Sequence, residues 1–212
     1  WLMALMIGIP IGIATAVEPH SWKDGLGIAT ALIGAAMPYF LIGGLLIYFL
    51  ALRWGLLPAS GYVNLFSDPW GSFKSTLMPA ITLCLGLAAV VTRQTRSSFY
   101  DVLQNAYIRT ARAKGLHERR VLLVHAFKNA MLPVTTILGI QLGTVFSGAV
   151  VTETIFAVPG IGRLLVDSIF SRDYPVVQAV VLFISLMVVL SNLLVDLAYG
   201  GLDPRTRKSS AA

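Results

Sequence analysis

The sequence predicts an all-α, polytopic transmembrane helical bundle, because it is poor in charge and its apolar residues form long uninterrupted runs. Of the 212 residues, 56% are hydrophobic and 12% are charged, and the mean hydropathy is +0.77. Soluble domains carry about 25% charged residues. The runs lack the apolar–polar alternation of membrane β-strands, so we expect helices, which satisfy their own backbone groups in lipid.

Five apolar runs cover residues 1–17, 27–52, 77–92, 132–152 and 176–199. A spanning helix needs about 20 apolar residues. The second, fourth and fifth runs reach that length, and the third extends through small and polar neighbours. The chain opens at Trp1 without an initiator methionine, so the first run is expected to be cut short. We therefore expect five spans in one domain, 1–212, that is truncated at its N-terminus.

The basic residues are distributed unevenly between the segments that connect these runs. Segments 18–26, 93–131 and the tail from 200 hold twelve of the 16 Lys and Arg residues, and segments 53–76 and 153–175 hold the other four. With five spans, the three richer segments share one side of the membrane. The positive-inside rule therefore predicts that 93–131 and the C-terminus are cytoplasmic. Topology also accounts for the net charge of +6, so nucleic-acid binding is not expected.

Segment 93–131 is predicted to form a basic helical hairpin. Phe99, Leu103 and Tyr107 have helical spacing in a first helix over 99–112, and a second helix is expected over 118–131. Gly115 separates them, because glycine ends helices readily in left-handed geometry. Two interpretations stay open on this pattern alone. The hairpin either lies on an anionic membrane surface or docks on a cytoplasmic partner.

A resemblance to a known family lies within this hairpin. The matching residues are Tyr107-Ile108-Arg109-Thr110-Ala111-Arg112-Ala113-Lys114-Gly115-Leu116, then His125-Ala126, Asn129-Ala130 and Pro133. They resemble the conserved loop of the first of two permease subunits in dipeptide, oligopeptide and nickel importers of the ATP-binding-cassette (ABC) class. Against the more general importer motif, Arg109 stands at a glutamate position and Thr110 at an alanine position. Stretches 148–156, 159–163, 172–175 and 196–207 are similar to the same family.

The resemblance implies an importer-permease fold with six spans in the intact protein, in a prokaryotic inner membrane. It implies four partners in addition to the lipid bilayer: two ATP-binding cassette subunits, a second homologous permease and an extracytoplasmic solute-binding protein. Peptides or related small solutes would pass by alternating access. It also implies that the contact with an ATPase subunit is made by Ala111, Arg112, Ala113, Lys114, Gly115 and Leu116. The substrate is left open among dipeptides, oligopeptides, nickel and glutathione.

No catalytic, cofactor or metal site is expected in this chain. It has no glycine-rich phosphate loop ending in Gly-Lys-Ser or Gly-Lys-Thr, so ATP hydrolysis is assigned to partner subunits. The single cysteine, Cys84, lies in an apolar run and excludes a cysteine-based metal site. The predicted topology places Ser60 across the bilayer from His20, His117 and His125, so a serine–histidine enzyme is rejected.

The alternative function is a secondary transporter or channel that is not coupled to ATPases. Such proteins use broken helices or buried charges near the midplane. Pro10, Pro38 and Pro79 are candidates for breaking helices, but no run has a charge at its centre. The basic hairpin is also unexplained by this alternative.

Small and polar residues inside the spans carry further expectations. The pairs Gly8/Gly12 and Gly139/Gly143 predict close helix packing within this chain, with packing against a partner permease as the alternative. For the polar residues we favour interhelical hydrogen bonds over cavity lining; these are Thr135, Thr136, Gln141 and Asn192.

Two carboxylates lie near predicted span ends, and each leaves two readings open. Glu153 either has a structural role or binds the amino terminus of a peptide. Asp196 is expected to be solvated or paired with Arg205 or Arg207.

Overall fold

Helices account for all the regular structure in the part of the chain that can be described. This computed structural model describes residues 1–202, except for the side chains of 195, 196 and 198–202. The helices are α1 (Leu2–Val17), α2 (Trp22–Ala36), α3 (Tyr39–Arg53), α4 (Pro69–Leu103), α5 (Ala106–Ala113), α6 (Glu118–Ile155), α7 (Ile161–Phe170) and α8 (Tyr174–Leu202). The predicted all-α fold class is confirmed. The prediction for Asp196 and the match at 203–207 lie outside the described residues.

Three helices are long and apolar enough to cross a membrane, namely α4, α6 and the described part of α8. Helices α2 and α3 qualify together as a fourth crossing. Helix α1 is apolar but has 16 residues, which corresponds to about 24 Å at 1.5 Å per residue. The predicted order of apolar elements is therefore observed, although the run at 27–52 does not form the single continuous helix that we expected.

The run at 27–52 is bent by 101° between α2 and α3. Pro38 explains the break, because proline lacks a backbone N–H and disfavours helical geometry in the residue before it. Met37 is accordingly extended, with φ −78° and ψ 125°. The other two candidate prolines do not break their helices: Pro10 lies inside α1 and Pro79 inside α4.

Contacts along α2 and α3 show that the bent pair crosses the bundle from one end to the other. At the start of α2, Asp24 bonds Arg96 near the end of α4. Gly34 lies beside Leu85, half-way along α4. Gly43 of α3 lies beside Phe156, directly after the end of α6. We call the Asp24–Arg96 side the hairpin end and the Phe156 side the opposite end.

Helices α1 and α4 run parallel and pack closely through glycine. A Cβ atom on Gly8 would lie 2.9 Å from the Cβ of Val91, and one on Gly12 would lie 2.6 Å from the Cβ of Thr95. The predicted packing within the chain is confirmed for this pair. Gly143 likewise faces Val188 of α8, at 3.3 Å from its nearest methyl.

Replacing Gly12 with alanine is expected to destabilise the bundle by about 1–3 kcal/mol, the usual cost of overpacking. The added methyl would meet the carbonyl of Thr92 at 2.8 Å as well as Thr95, and backbone atoms cannot move aside. Gly44→Ala is the matched control, because nothing lies within 4 Å of its Cβ position. Thermal unfolding in detergent checks this: equal melting temperatures for the two variants would contradict the close packing.

Glu153 has a structural partner at the opposite end. Its Oε2 accepts a hydrogen bond from the backbone N–H of Arg163 at 3.0 Å, in the first turn of α7. A Cβ on Gly160 would lie 2.2 Å from the Glu153 Cδ, so glycine makes room for the carboxylate. This geometry favours the structural reading, in which Glu153 caps α7.

The polar residues of α6 do not form the interhelical hydrogen bonds that we expected. The hydroxyls of Thr135 and Thr136 both bond the carbonyl of Leu132 in the same helix. Gln141 Oε1 accepts a hydrogen bond from Thr144, also in α6. The prediction is wrong for these residues, since each bonds locally. Asn192 is exposed on α8.

Candidate functional site

The hairpin consists of the end of α4, the short helix α5, a four-residue turn and the start of α6. The predicted single helix over 99–112 is wrong, because α4 ends at Leu103 and α5 begins at Ala106. The break lies at Gln104 and Asn105, whose N–H groups bond the carbonyls of Asp101 and Val102 three residues back. The second predicted helix is confirmed and continues without interruption into the membrane span.

Gly115 ends α5 in the left-handed geometry that the sequence predicts, with φ +76°. Its N–H bonds the carbonyl of Arg112 at 2.9 Å, and the N–H of Leu116 bonds the carbonyl of Ala111 at 3.4 Å. These two bonds form a Schellman motif, a common helix terminus with glycine at this position. Nothing lies within 4 Å of the Gly115 Cβ position, so glycine is needed here for backbone geometry and leaves an open surface.

The inner face of the hairpin packs against α1 and α4. A core cluster is formed by Ala16, Phe99, Ile108, Ala111, Val121, Ala126 and Ala130. Ile108, Val121 and Phe99 are fully buried, and Leu116 packs against the cluster. The cluster joins both arms of the hairpin to the last turns of two membrane helices. The hairpin is thereby held rigidly on the bundle.

The outer face of the hairpin is exposed and basic. Arg112 forms a two-fold contact with Glu118 across the turn, with Nε to Oε2 at 3.1 Å. Hydrogen bonding to Glu118 raises the pKa of Arg112. Four further cations are exposed close to the turn, between residues 109 and 120: Arg109, Lys114, Arg119 and Arg120. None of them forms an ion pair within residues 1–202.

The six residues predicted to contact a partner are therefore placed on two faces. Arg112, Ala113, Lys114 and Gly115 are exposed, Leu116 is half-buried, and Ala111 is 7% exposed. Ala111 belongs to the inner core, so it supports the exposed turn from below. The surface available to a partner is the turn 112–116.

The second arm of the hairpin is joined to the first by polar contacts that the sequence did not reveal. Asn129 Nδ2 donates to the Tyr107 hydroxyl at 2.9 Å, and that hydroxyl donates to the carbonyl of His125 at 3.5 Å. This region of α6 has a π-helical stretch, Val121–Ala126, which is a frequent feature of functional segments. The backbone carbonyl of His125 is thus part of the contact between the two arms. No group of three or more metal-binding side chains occurs in the described part of the chain.

Comparison with known proteins identifies the family. The family model described as "Binding-protein-dependent transport system inner membrane component" matches residues 8–208. This chain is a member of that family of ABC importer permeases. The match extends over both the bundle and the hairpin, so the resemblance drawn from the hairpin residues is confirmed. It also places this permease in the class of multi-pass proteins of the bacterial inner membrane.

Two kinds of transport permease are among its relatives. It is 44% identical over 229 residues to the dipeptide transport system permease protein DppB of Escherichia coli K12, with 97% of this chain and 68% of the relative covered. It is 45% identical over 204 residues to the glutathione transport system permease protein GsiC of Pectobacterium atrosepticum, with 96% and 64% covered. The chain therefore spans about two thirds of the length of these relatives.

Proposed function

We propose that this permease is the membrane-spanning subunit of an ATP-driven importer, and that its basic hairpin docks on an ATP-binding subunit. With a second, homologous permease it would form an alternating-access pathway for peptides or related small solutes, delivered by an extracytoplasmic binding protein. The names of the relatives, which are dipeptide and glutathione permeases, support a peptide-like solute. On this proposal the hairpin end faces the cytoplasm, as the distribution of Lys and Arg also predicts.

The observation that carries the proposal is the division of the hairpin into two faces. Its inner face is buried against α1 and α4, whereas the turn 112–116 stands outward with Gly115 open. A rigid element of this kind can pass a rigid-body movement of a partner to packed membrane helices. Exposed Arg109, Lys114, Arg119 and Arg120 would orient an acidic rim on the partner more than they would add affinity.

A membrane-surface role for the hairpin is the competing reading. An amphipathic surface helix would need an exposed apolar face to insert into lipid. In α5, the apolar Ile108 is fully buried in the core cluster. Tyr107 on α5 and Leu123 and Val124 on the second arm are exposed. The exposed residues of the turn, 112–115, carry no large apolar side chain, so a protein partner is favoured there.

Co-purification of the full-length, tagged subunit expressed with its operon tests the proposal. We expect two ATP-binding subunits and a second permease to be recovered. The double variant Arg119→Glu/Arg120→Glu should lose the ATP-binding subunits at low salt, where the reversed charges repel an acidic rim most strongly, but keep the second permease. The unaltered subunit should lose them only as salt is raised, because exposed charge pairs are screened. Arg53→Glu, at an exposed site before the loop at the opposite end, is the matched control.

Two results would contradict the proposal. Recovery of the subunit alone or as a homo-oligomer would favour an uncoupled transporter or channel. Retention of the ATP-binding subunits by the double variant at all salt concentrations would show that Arg119 and Arg120 do not contribute to the docking surface.

A further inference from the structure

The break between α2 and α3 lies beside an open cleft between this segment, α4 and α6. The cleft has a volume of about 350 Å³. It is lined by Gly34, Ala35, Ala36, Met37, Pro38, Tyr39, Gly86, Val90, Gln141 and Thr144. Six consecutive residues of the broken segment thus meet α4 and α6 at one place. No charged side chain is among the lining residues.

The cleft lies half-way through the apolar thickness of the protein. Tyr39 is near the centre of the apolar run 27–52, Gly86 near the centre of 77–92, and Gln141 near the centre of 132–152. Three independent elements therefore give the same depth. A cleft at this depth is remote from the lipid headgroups.

Backbone groups at the break have no partners within residues 1–202. The carbonyls of residues 34–37 accept no hydrogen bond, and the N–H groups of Tyr39 and Phe40 donate none. Each unsatisfied group of this kind costs several kcal/mol in hydrocarbon. Non-helical backbone is tolerated at membrane depth only where it is buried in protein or lines a water-filled cavity. The cleft is therefore expected to hold water or a polar solute.

Two glycines make room for the Tyr39 ring beside the cleft, and Gln141 supplies an amide group to its wall. The Tyr39 ring lies against Gly86 and Gly148, whose Cβ positions are 3.3 and 3.2 Å from its nearest ring atoms. A larger residue at either position would displace the ring. The Thr144 hydroxyl lies 2.8 Å from the backbone carbonyl of Gln141 and 3.3 Å from Gln141 Oε1, so Oε1, and not the amide nitrogen, faces Thr144. That nitrogen donates to no group within residues 1–202.

We propose that this cleft binds a backbone amide group of a peptide solute as the solute crosses the membrane. The carbonyls of 34–37 would accept from the peptide N–H, and Gln141 would donate to the peptide C=O. A donor and acceptors together match an amide, which has one group of each kind, whereas a cation would use only the carbonyls and an apolar solute would use neither. The inference rests on the proposed function, because it assigns part of the pathway of that importer.

Cysteine labelling in the assembled transporter tests the assignment. Gln141→Cys and Thr144→Cys are introduced separately into a Cys84→Ala background, in the full-length subunit with its partners. A charged methanethiosulfonate reagent is applied, since it requires a hydrated, ionised thiol. Ile140→Cys is the control, because Ile140 is 63% exposed at the same depth but does not line the cleft. We expect it to react at least about tenfold more slowly.

Solute protection gives the second readout. Dialanine or glutathione should slow labelling of the Gln141→Cys and Thr144→Cys variants, whereas free alanine, which has no peptide bond, should not. Labelling without protection by either peptide would overturn the assignment. So would labelling that occurs only in the separated subunit, which would mean that the partner permease fills the cleft. Absence of labelling in a transport-active complex would do the same.

The two proposals fail in different ways. If the ATP-binding subunits do not co-purify but peptide protection is seen, solute binding in the cleft is supported and coupling to an ATPase is contradicted. If co-purification succeeds without protection, the importer stands and this solute contact falls.

Discussion

Gly115→Tyr is expected to abolish solute uptake in the assembled importer while leaving the membrane bundle folded. The change acts in two ways at the tip of the hairpin. A tyrosine at φ +76° strains a backbone conformation that glycine adopts freely, at a cost of about 1–2 kcal/mol. Its side chain would also project from the open surface that we assign to the ATP-binding subunit. Uptake, ATPase activity and recovery of the ATP-binding subunits are the measurements.

Two matched variants separate strain from loss of docking. Gly55 has φ +62° and the same open surroundings, but it lies in the loop at the opposite end. Gly55→Tyr should therefore cost similar stability and leave uptake intact. Gly115→Asn keeps the left-handed geometry, which asparagine tolerates, and adds a small side chain, so it should be intermediate. Full uptake by Gly115→Tyr would show that the turn does not touch the ATPase.

Asp24→Ala is expected to cause the largest loss of stability, because it breaks a buried ion pair. The Asp24 carboxylate is 4% exposed and contacts Arg96 twice, with Oδ1 to Nε at 2.6 Å and Oδ2 to Nη2 at 2.7 Å. Its Oδ2 also accepts from the N–H of His20 at 3.0 Å. Removing one member of a fully buried pair costs about 3–5 kcal/mol, since the other charge is left without a partner. Arg96 is 25% exposed, so water can solvate part of its charge and the loss is expected at or below the lower end of that range.

The neighbouring pair provides the control for that experiment. Lys23 and Glu18 are 2.9 Å apart but about half exposed, so Lys23→Ala should cost about 0–1 kcal/mol. A double variant, Asp24→Leu/Arg96→Met, should recover part of the stability lost in Asp24→Ala, because no unpaired charge remains. Thermal unfolding of all three in one detergent decides the matter. A loss no greater for Asp24→Ala than for Lys23→Ala would contradict the buried pair.

Local signals in the sequence predicted the features that depend on a few neighbouring residues. Gly115 marks the end of α5 because left-handed geometry is a property of one residue. The uneven distribution of Lys and Arg indicates the hairpin, because this distribution can be read from the sequence without knowing how the helices pack. The run of hairpin residues also carried the family resemblance, which the family match over 8–208 confirms.

Features that depend on distant contacts were not predictable in this way. Asp24 and Arg96 are 72 residues apart, and neither local sequence indicates that the two residues form an ion pair. Pro38, Pro10 and Pro79 are equivalent in sequence, yet only Pro38 separates two helices. The inward position of Ala111 depends on where α1 ends, which its own neighbours in sequence do not specify. The direction of α3 after the break depends on Gly86 and Gly148, against which the Tyr39 ring packs.

The interrupted helix also gives the bundle a joint. The last hydrogen bond of α2 joins Met37 to Ile33, and the first bonds of α3 begin at Pro38, so none runs across the junction. Asp24 fastens one side of that joint to α4 beside the hairpin, and Gly43 packs the other side against Phe156. A movement of α4 can therefore rotate α2 relative to α3, about residues 37 and 38, without breaking a helical hydrogen bond. Residues 37 and 38, which line the cleft that we propose for the solute, are thus also the point at which α2 can turn relative to α3 without loss of a helical hydrogen bond.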